Sequence, residues 1–462
     1  MNIKGKTFFL DQHGCAKNQV DGELLINNLT KAGMLRTEDP SSADLIIVNS
    51  CGFINSAKEE SLNSVIDARS SYPNAKILLA GCLAERYAED LSKELSEADG
   101  FFGNGDLSKV TEVVDELFCG QRPVERPTQQ GVCCGDRDFL LSFKGSAYVK
   151  ITEGCDNCCS FCAIPIIRGR LRSRKICDII QEIENFVKIG IKEINLIGQD
   201  LAAYGCGSSD KVLDSETPKV HSSFLEQLLE RISAIEGDFW VRLLYIHPDH
   251  FNKDILNIIK RDKRFLPYFD IPFQSGSNGI IQSMNRKGTF DSYLELVNDI
   301  RRTLPEACIR TTFLTGFPGE SKDDAKQTEE FLKAIQSDWS GCFTYSREEG
   351  TPADLMQGHI SAKLAKERAQ RLENLQAEIT RVRLQQRCGK VYDVLVEEII
   401  QGEEEGLAIG RAWFQAPEVD GNVVIRYDLD SKQAAQEVQP GKLVKVNCTS
   451  SSAVDMDGTL VL

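Results

Sequence analysis

Along the first 120 residues, short unbroken apolar runs alternate with stretches whose apolar positions recur every three or four residues. Residues 7–10, 45–48 and 76–80 predict strands, and residues 20–31 and 56–69 predict helices. Near-continuous apolar strands separated by helices imply an open parallel sheet covered on both faces. Residues 121–140 carry two prolines, two adjacent cysteines and no clear period, and read as a linker. Alternation then resumes. Strands are expected at residues 147–152, 193–197, 240–245, 268–272, 309–314 and 342–345, with helices at 176–188, 224–235, 293–302 and 323–335 between them. Six such units predict a partial (βα)6 barrel with its site at the C-terminal ends of the strands. A charged helix over residues 362–386 follows. Short β-rich runs at 392–400, 406–414, 422–427 and 442–447, separated by Gly, Asp and Pro, then predict a small all-β barrel. The predicted class is α/β with three domains: residues 1–120, a linker at 121–140, residues 141–380, and residues 385–462.

The chain has 462 residues, 41% hydrophobic and 27% charged, which is ordinary globular composition. No apolar run approaches the roughly 20 residues of a membrane span, and the N-terminal apolar stretch is too short for a secretory signal. The net charge of −15 gives no global attraction for nucleic acid. Sixteen cysteines change the picture. In a long chain without a secretory signal they point to metal or redox chemistry in a reducing cytoplasm.

Four cysteines crowd the segment Glu153-Gly154-Cys155-Asp156-Asn157-Cys158-Cys159-Ser160-Phe161-Cys162, directly after a predicted strand. Cys155, Cys159 and Cys162 have the spacing C-x3-C-x2-C. Three thiolates on one loop can hold three irons of a four-iron cluster and leave the fourth iron open to a substrate. A zinc site prefers four ligands in paired groups, and no second C-x2-C pair exists here. The register Cys155-x2-Cys158-x3-Cys162 stays open as an alternative. Cys15, Cys51 and Cys82 follow the three predicted strands of the first domain. Loops after parallel strands converge on one crevice, so these thiols are candidates for a second metal centre, with buried structural cysteines as the alternative. The five histidines form no metal-binding cluster in sequence.

Together these residues resemble the radical S-adenosylmethionine (SAM) methylthiotransferases over nearly the whole chain and in the same domain order, the C-terminal barrel being the TRAM domain. The resemblance implies two [4Fe-4S] clusters, one binding SAM on Cys155, Cys159 and Cys162, and an auxiliary one on Cys15, Cys51 and Cys82. It also implies SAM contacts. Gln199 and Asp200 end the second barrel strand, and Gly316 to Glu320 lie in the turn after the fifth. Arg168 and Arg174 are candidates to pair with a carboxylate. A plain strand-to-helix turn and solvated surface arginines are the respective alternatives. Pro272-Phe273-Gln274-Ser275-Gly276-Ser277 fits after the fourth strand.

Within that family, Val48 to Ile54, Gly81 to Tyr87 and Val241 to Tyr245 look like the RimO branch, which modifies the β-carbon of an aspartate in ribosomal protein S-twelve. Ala416 to Gly421 resembles that branch's form of the barrel. The other branch weighed, MiaB, acts on an adenosine of transfer RNA, and an RNA-gripping barrel should be basic. Residues 387–462 instead hold seven bases and 13 acids, which suits a basic protein partner. An iron–sulfur carrier without catalysis is the alternative of another class. Cys158 stands where relatives commonly carry a basic residue. An aspartate β-carbon has no acidic proton and no leaving group, so acid–base catalysis cannot functionalise it, whereas cofactor radical chemistry can. No general acid or base stands out, and the sulfur donor and reductant are left open.

Overall fold

The computed structural model describes residues 2–213, 219–400 and 405–462. Strands β1 (Thr7–Gln12), β2 (Leu35–Arg36), β3 (Leu45–Ser50), β4 (Lys76–Gly81), β5 (Gly100–Phe102) and β6 (Val124–Glu125) form a parallel sheet ordered β2-β1-β3-β4-β5-β6. All six residues of β3 are buried, as a strand covered on both faces must be. Helices α1 (Ala16–Lys31) and α4 (Val110–Phe118) pack on one face, and α2 (Asn55–Ser71) and α3 (Cys82–Glu94) on the other.

Helix α1 starts at Ala16, four residues before the apolar pattern begins. Its first turns bury Lys17, Asn18, Gln19, Asp21 and Glu23. These polar side chains face another part of the protein rather than water, which a pattern of apolar residues cannot register. The segment expected to be a linker is likewise tied down. Val124–Glu125 extends the sheet, and buried Arg137 pairs with Glu23 of α1 at 2.5 Å and with Glu182 at 2.6 Å.

The central unit opens with β7 (Ser146–Lys150) and a short antiparallel ribbon, β8 (Thr152–Glu153) and β9 (Arg172–Ser173), flanking helix α5 (Ile164–Ile167). Helix α6 (Ile176–Lys188) leads into β10 (Glu193–Ile197). Strands β11 (Trp240–Leu243), β12 (Phe265–Asp270), β13 (Cys308–Thr315) and β14 (Trp339–Thr344) complete a six-stranded parallel sheet ordered β14-β13-β12-β11-β10-β7. Each crossover advances by one strand, and the sheet stays open as a partial barrel.

After the helix Ala362–Gln385, strands β15 (Val391–Ile400), β16 (Gly406–Ala412), β17 (Val423–Tyr427), β18 (Leu443–Ser451) and β19 (Met456–Val461) close a barrel in the order β15-β16-β17-β19-β18. The last strand escaped the sequence pattern because Asp457 and Gly458 interrupt its apolar alternation. This barrel caps the N-terminal ends of the central strands. Glu193 there is buried between Arg242 at 2.8 Å and Arg411 at 2.7 Å, and all three tryptophans of the chain pack in the shared core. The opposite, C-terminal strand ends are left for the site. Among the described residues, no helix is long and apolar enough to cross a membrane.

Candidate active site

Parallel register fixes the first set of thiols. Gln12 pairs with Asn49, and Ser50 with Gly81, so one further residue brings Cys51 beside Cys82. Cys15 is the N-cap of α1 and Cys82 the first residue of α3. The positive ends of two helices therefore face the same point, which favours thiolate or an anionic group there. Asn18 locks the loops together, its amide donating to the carbonyl oxygens of His13 at 2.8 Å and Asn49 at 3.1 Å. Gly52 permits the approach, since a Cβ there would lie 2.6 Å from the Cys82 carbonyl oxygen. Burial and then the Cys82 charge push the Cys51 thiol up to about 12. Burial also raises Cys15, but Lys17 and Arg168 outweigh it and leave that thiol below its ordinary value.

The second set sits on the loop between β8 and α5. Cys159 is buried, its sulfur 3.9 Å from Nε2 of His247. Burial pushes Cys155 and Cys162 each up to about 12, and the Cys159 charge contributes to both. Cys158 is exposed, at φ 51°, and its carbonyl oxygen accepts from Asn285 Nδ2 at 3.0 Å. The loop thus gathers Cys155, Cys159 and Cys162 and turns Cys158 outward. The Ser160 amide donates to the Met284 carbonyl oxygen and the Ala353 amide to that of Ser160, pinning the turn. Among the described residues, no three His, Cys, Asp or Glu side chains converge closely enough to hold a single metal ion.

The two sets adjoin. Ala163, directly after Cys162, and Ile167, one helical turn on, pack with Phe53 against Cys82. Beneath the junction lies a closed ring of buried charges. Asp21 meets Lys150 at 2.5 Å, Lys150 meets Glu153 at 2.5 Å, Glu153 meets Arg168 at 2.7 Å, and Arg168 returns to Asp21 at 2.9 Å. Arg168 also donates to the Cys82 sulfur at 3.1 Å. Two acids and two bases balance, so the ring can be buried without a net charge. Cys15 and Tyr245 are reachable by water. Yet burial is the largest influence on the ionisation of both. Tyr245 stands between the sets, with Cys15 of one and Cys162 of the other both among the charges its hydroxyl feels.

Residues 7–103 match the uncharacterized protein family UPF0004, residues 149–332 the Radical SAM superfamily, and residues 388–461 the TRAM domain. The chain is 52% identical to the ribosomal protein uS12 methylthiotransferase RimO of Treponema denticola, covering 98% of this chain and 100% of that one. It belongs to the RimO family. The proteins of the same name from Desulfosudis oleivorans and Clostridioides difficile are 38% and 36% identical over 96% and 98% of this chain, and over 98% of each relative. In fold it is similar to the radical SAM methyltransferase TsrM from Kitasatospora setae. One TsrM structure, with cobalamin and a [4Fe-4S] cluster bound, gives a TM-score of 0.54 at 13% identity, covering 76% of this chain and 77% of that one.

As a member of the RimO family the chain is a radical SAM enzyme that uses SAM and [4Fe-4S] clusters. Its expected SAM contacts fare unequally. Gln199 keeps a buried Oε1 without a partner, and the Thr152 Oγ1 is likewise orphaned. Buried polar atoms are normally satisfied, so this pair fits a bound polar ligand at the strand ends. Asp200 is already engaged: Asn157, the amides of Ala202 and His247, and His250 all hold it, tying the cysteine loop to the loop after β11. Glu320 accepts from the Gly316 amide at 2.8 Å and pairs with Arg368 at 2.5 Å. Gly316, at φ 76°, is a packing glycine, because a Cβ would lie 2.4 Å from that of Ala365. Neither arginine is a solvated surface residue or free for a carboxylate ligand. Arg168 belongs to the charge ring, and Arg174 is buried against Glu182 at 2.5 Å. Sequence reading missed the roles of Lys17, Tyr245 and the ring residues Asp21, Lys150 and Glu153, since nothing in their spacing marks them. His247 beside Cys159 was also missed.

Proposed function

We propose that this chain methylthiolates the β-carbon of an aspartate in ribosomal protein uS12, in the cytoplasm, with Cys155, Cys159 and Cys162 holding the SAM cluster and Cys15, Cys51 and Cys82 the auxiliary one. The adjacency of the two thiol sets carries the reading, because one substrate atom has to reach both. When bound, SAM and the two clusters supply an electron, a hydrogen-abstracting radical, sulfur and the methyl group. An external one-electron donor and a sulfide source act with them.

The chain's own residues do the rest. Raised thiol pKa values keep Cys51, Cys155 and Cys162 protonated until iron displaces the proton, so loading releases protons and is favoured by higher pH. Gln199 and Thr152 supply unspent hydrogen-bonding capacity where SAM would sit. The charge ring holds the thiol sets at a fixed separation, and the surrounding protein limits access of water, so that a radical meets its target alone.

Anaerobic incubation of the iron-loaded chain with SAM, a reductant and uS12 tests this. The expected result is one methylthio group in place of hydrogen on a single aspartate, and about eight irons per chain. Modification of transfer RNA instead, or no 5′-deoxyadenosine at all, refutes it in favour of the adenosine-modifying reading or of a carrier.

A further inference from the structure

Beside the two thiol sets lies a buried cation that makes no direct ion pair. Lys17 lies two residues beyond Cys15 and is 8% exposed. Its ammonium sits 3.9 Å from the centre of the Tyr245 ring, and among the described residues no carboxylate comes within ion-pair distance of it. The opposite charges it feels most are the Cys15 thiolate and then Asp270, and most of the other charges nearby are paired among themselves. Asp21, Lys150, Glu153 and Arg168 close their ring. Asp270 has only a loose partner, Arg310 at 3.8 Å, which is itself taken by Asp420 at 2.6 Å, and it acts on Lys17 from beyond ion-pair distance. An unpaired buried ammonium is costly, and one cation–π contact offsets only part of that cost.

Tyr245, which carries Lys17, is itself in an unusual conformation. It lies two residues past the end of β11 at φ 73°, a left-handed geometry that a bulky residue seldom adopts. Such strain clusters at ligand sites. The turn directs the ring toward the thiols, with Cys15 of one set and Cys162 of the other both among the charges that its hydroxyl feels. Tyr245 as a whole is 42% exposed.

We propose that Lys17 receives the side-chain carboxylate of the target aspartate and thereby positions its β-carbon between the two cysteine sets. This rests on the function proposed above. The carboxylate carbon is bonded directly to the β-carbon, so gripping the one places the other within a bond length of a fixed point. A charge-assisted bond also distinguishes aspartate from the nearly isosteric asparagine.

The test uses iron-loaded enzyme and uS12 with Asp or Asn at the target position. Wild-type enzyme is expected to bind the Asn form about tenfold or more weakly, the loss of one charged contact. Lys17→Met should lower product formation on the order of 100-fold, erase the Asp-over-Asn preference, and retain about eight irons per chain. Lys17→Arg should restore part of the preference. Equal binding of both forms by wild-type enzyme overturns the proposal, as does an unchanged preference in Lys17→Met. Loss of iron in Lys17→Met together with equal wild-type binding assigns the lysine to the cluster and likewise overturns it. Wild-type enzyme that leaves uS12 unmodified refutes the function instead, which separates the two failures.

Discussion

Cys155, Cys159 and Cys162 arrive together on eight consecutive residues, whereas Cys15, Cys51 and Cys82 are delivered by three separate strands of a sheet. The first set is local: its spacing is written into the chain, and a pinned turn suffices to gather it. The second is assembled by fold, through strand register, a close approach of Gly52 to the Cys82 carbonyl, and the side chain of Asn18. Their chemistry is the same, but the local set depends on loop residues and the distributed set on everything that keeps the sheet and its neighbour in register.

The sharpest division comes from deleting one sulfur at a time. Cys155→Ala is expected to abolish SAM cleavage, measured as 5′-deoxyadenosine, and with it all product. Cys82→Ala is expected to abolish methylthiolation while 5′-deoxyadenosine still forms, and to leave about four irons per chain. If both variants lose SAM cleavage alike, the division of labour between the sets is wrong.

Next in size is the charge ring that joins them. Arg168→Met leaves Asp21 and Glu153 short of a buried partner and should cost about 3–5 kcal/mol, read by chemical denaturation. The ring also makes an acid prediction. Burial raises Glu153, but Lys150 and Arg168 outweigh it and hold its carboxyl down to about 2. A folded value below the ordinary 4.5 gives stability that is complete above pH 4.5 and is lost only as pH falls toward 2. Acid should therefore strip iron, by protonating thiolates, before it unfolds the junction. Iron release and circular dichroism followed on one acid titration check the order.

A smaller break tests how the distributed set is assembled. In Gly52→Ala the new Cβ would meet backbone of Cys82 and Leu83 at 2.6–2.9 Å. Backbone cannot swing aside as a side-chain tip can, so the Cys51 and Cys82 loops must separate. Iron is expected to fall toward about four per chain with the SAM cluster retained. Unchanged iron would mean that the loops tolerate more separation than their packing implies.

The same contrast governs what could be read from the chain. The apolar strands of both parallel sheets and the C-x3-C-x2-C spacing were legible because each is a local pattern. The three-strand origin of Cys15, Cys51 and Cys82 was legible as soon as the strands were, since parallel loops share one end of a sheet. Lys17, Asp21 and Glu23 were not, because they are polar residues buried by a neighbouring unit, and burial by a distant part of the chain leaves no period. For the same reason Arg168 and Arg174 read as free cations in sequence, while their partners Asp21 and Glu182 lie on helices that only the fold brings near. The strand Met456–Val461 was lost to an Asp-Gly interruption of its alternation.

The smallest effect belongs to Cys158, and it decides the register of the local set. Its side chain is exposed, and what holds it is its backbone carbonyl, which accepts from Asn285. Cys159, by contrast, is buried with its sulfur 3.9 Å from Nε2 of His247. Replacing sulfur by oxygen at Cys158 changes neither volume nor backbone appreciably, so Cys158→Ser should shift stability by no more than about 0.5 kcal/mol. It should also keep the SAM cluster, whereas Cys159→Ser should lose it. Iron content and 5′-deoxyadenosine formation of the two variants, measured side by side, check the assignment. Loss of iron from Cys158→Ser with retention in Cys159→Ser would move the ligand register one residue toward the N-terminus, and with it the face of the loop that meets the distributed set.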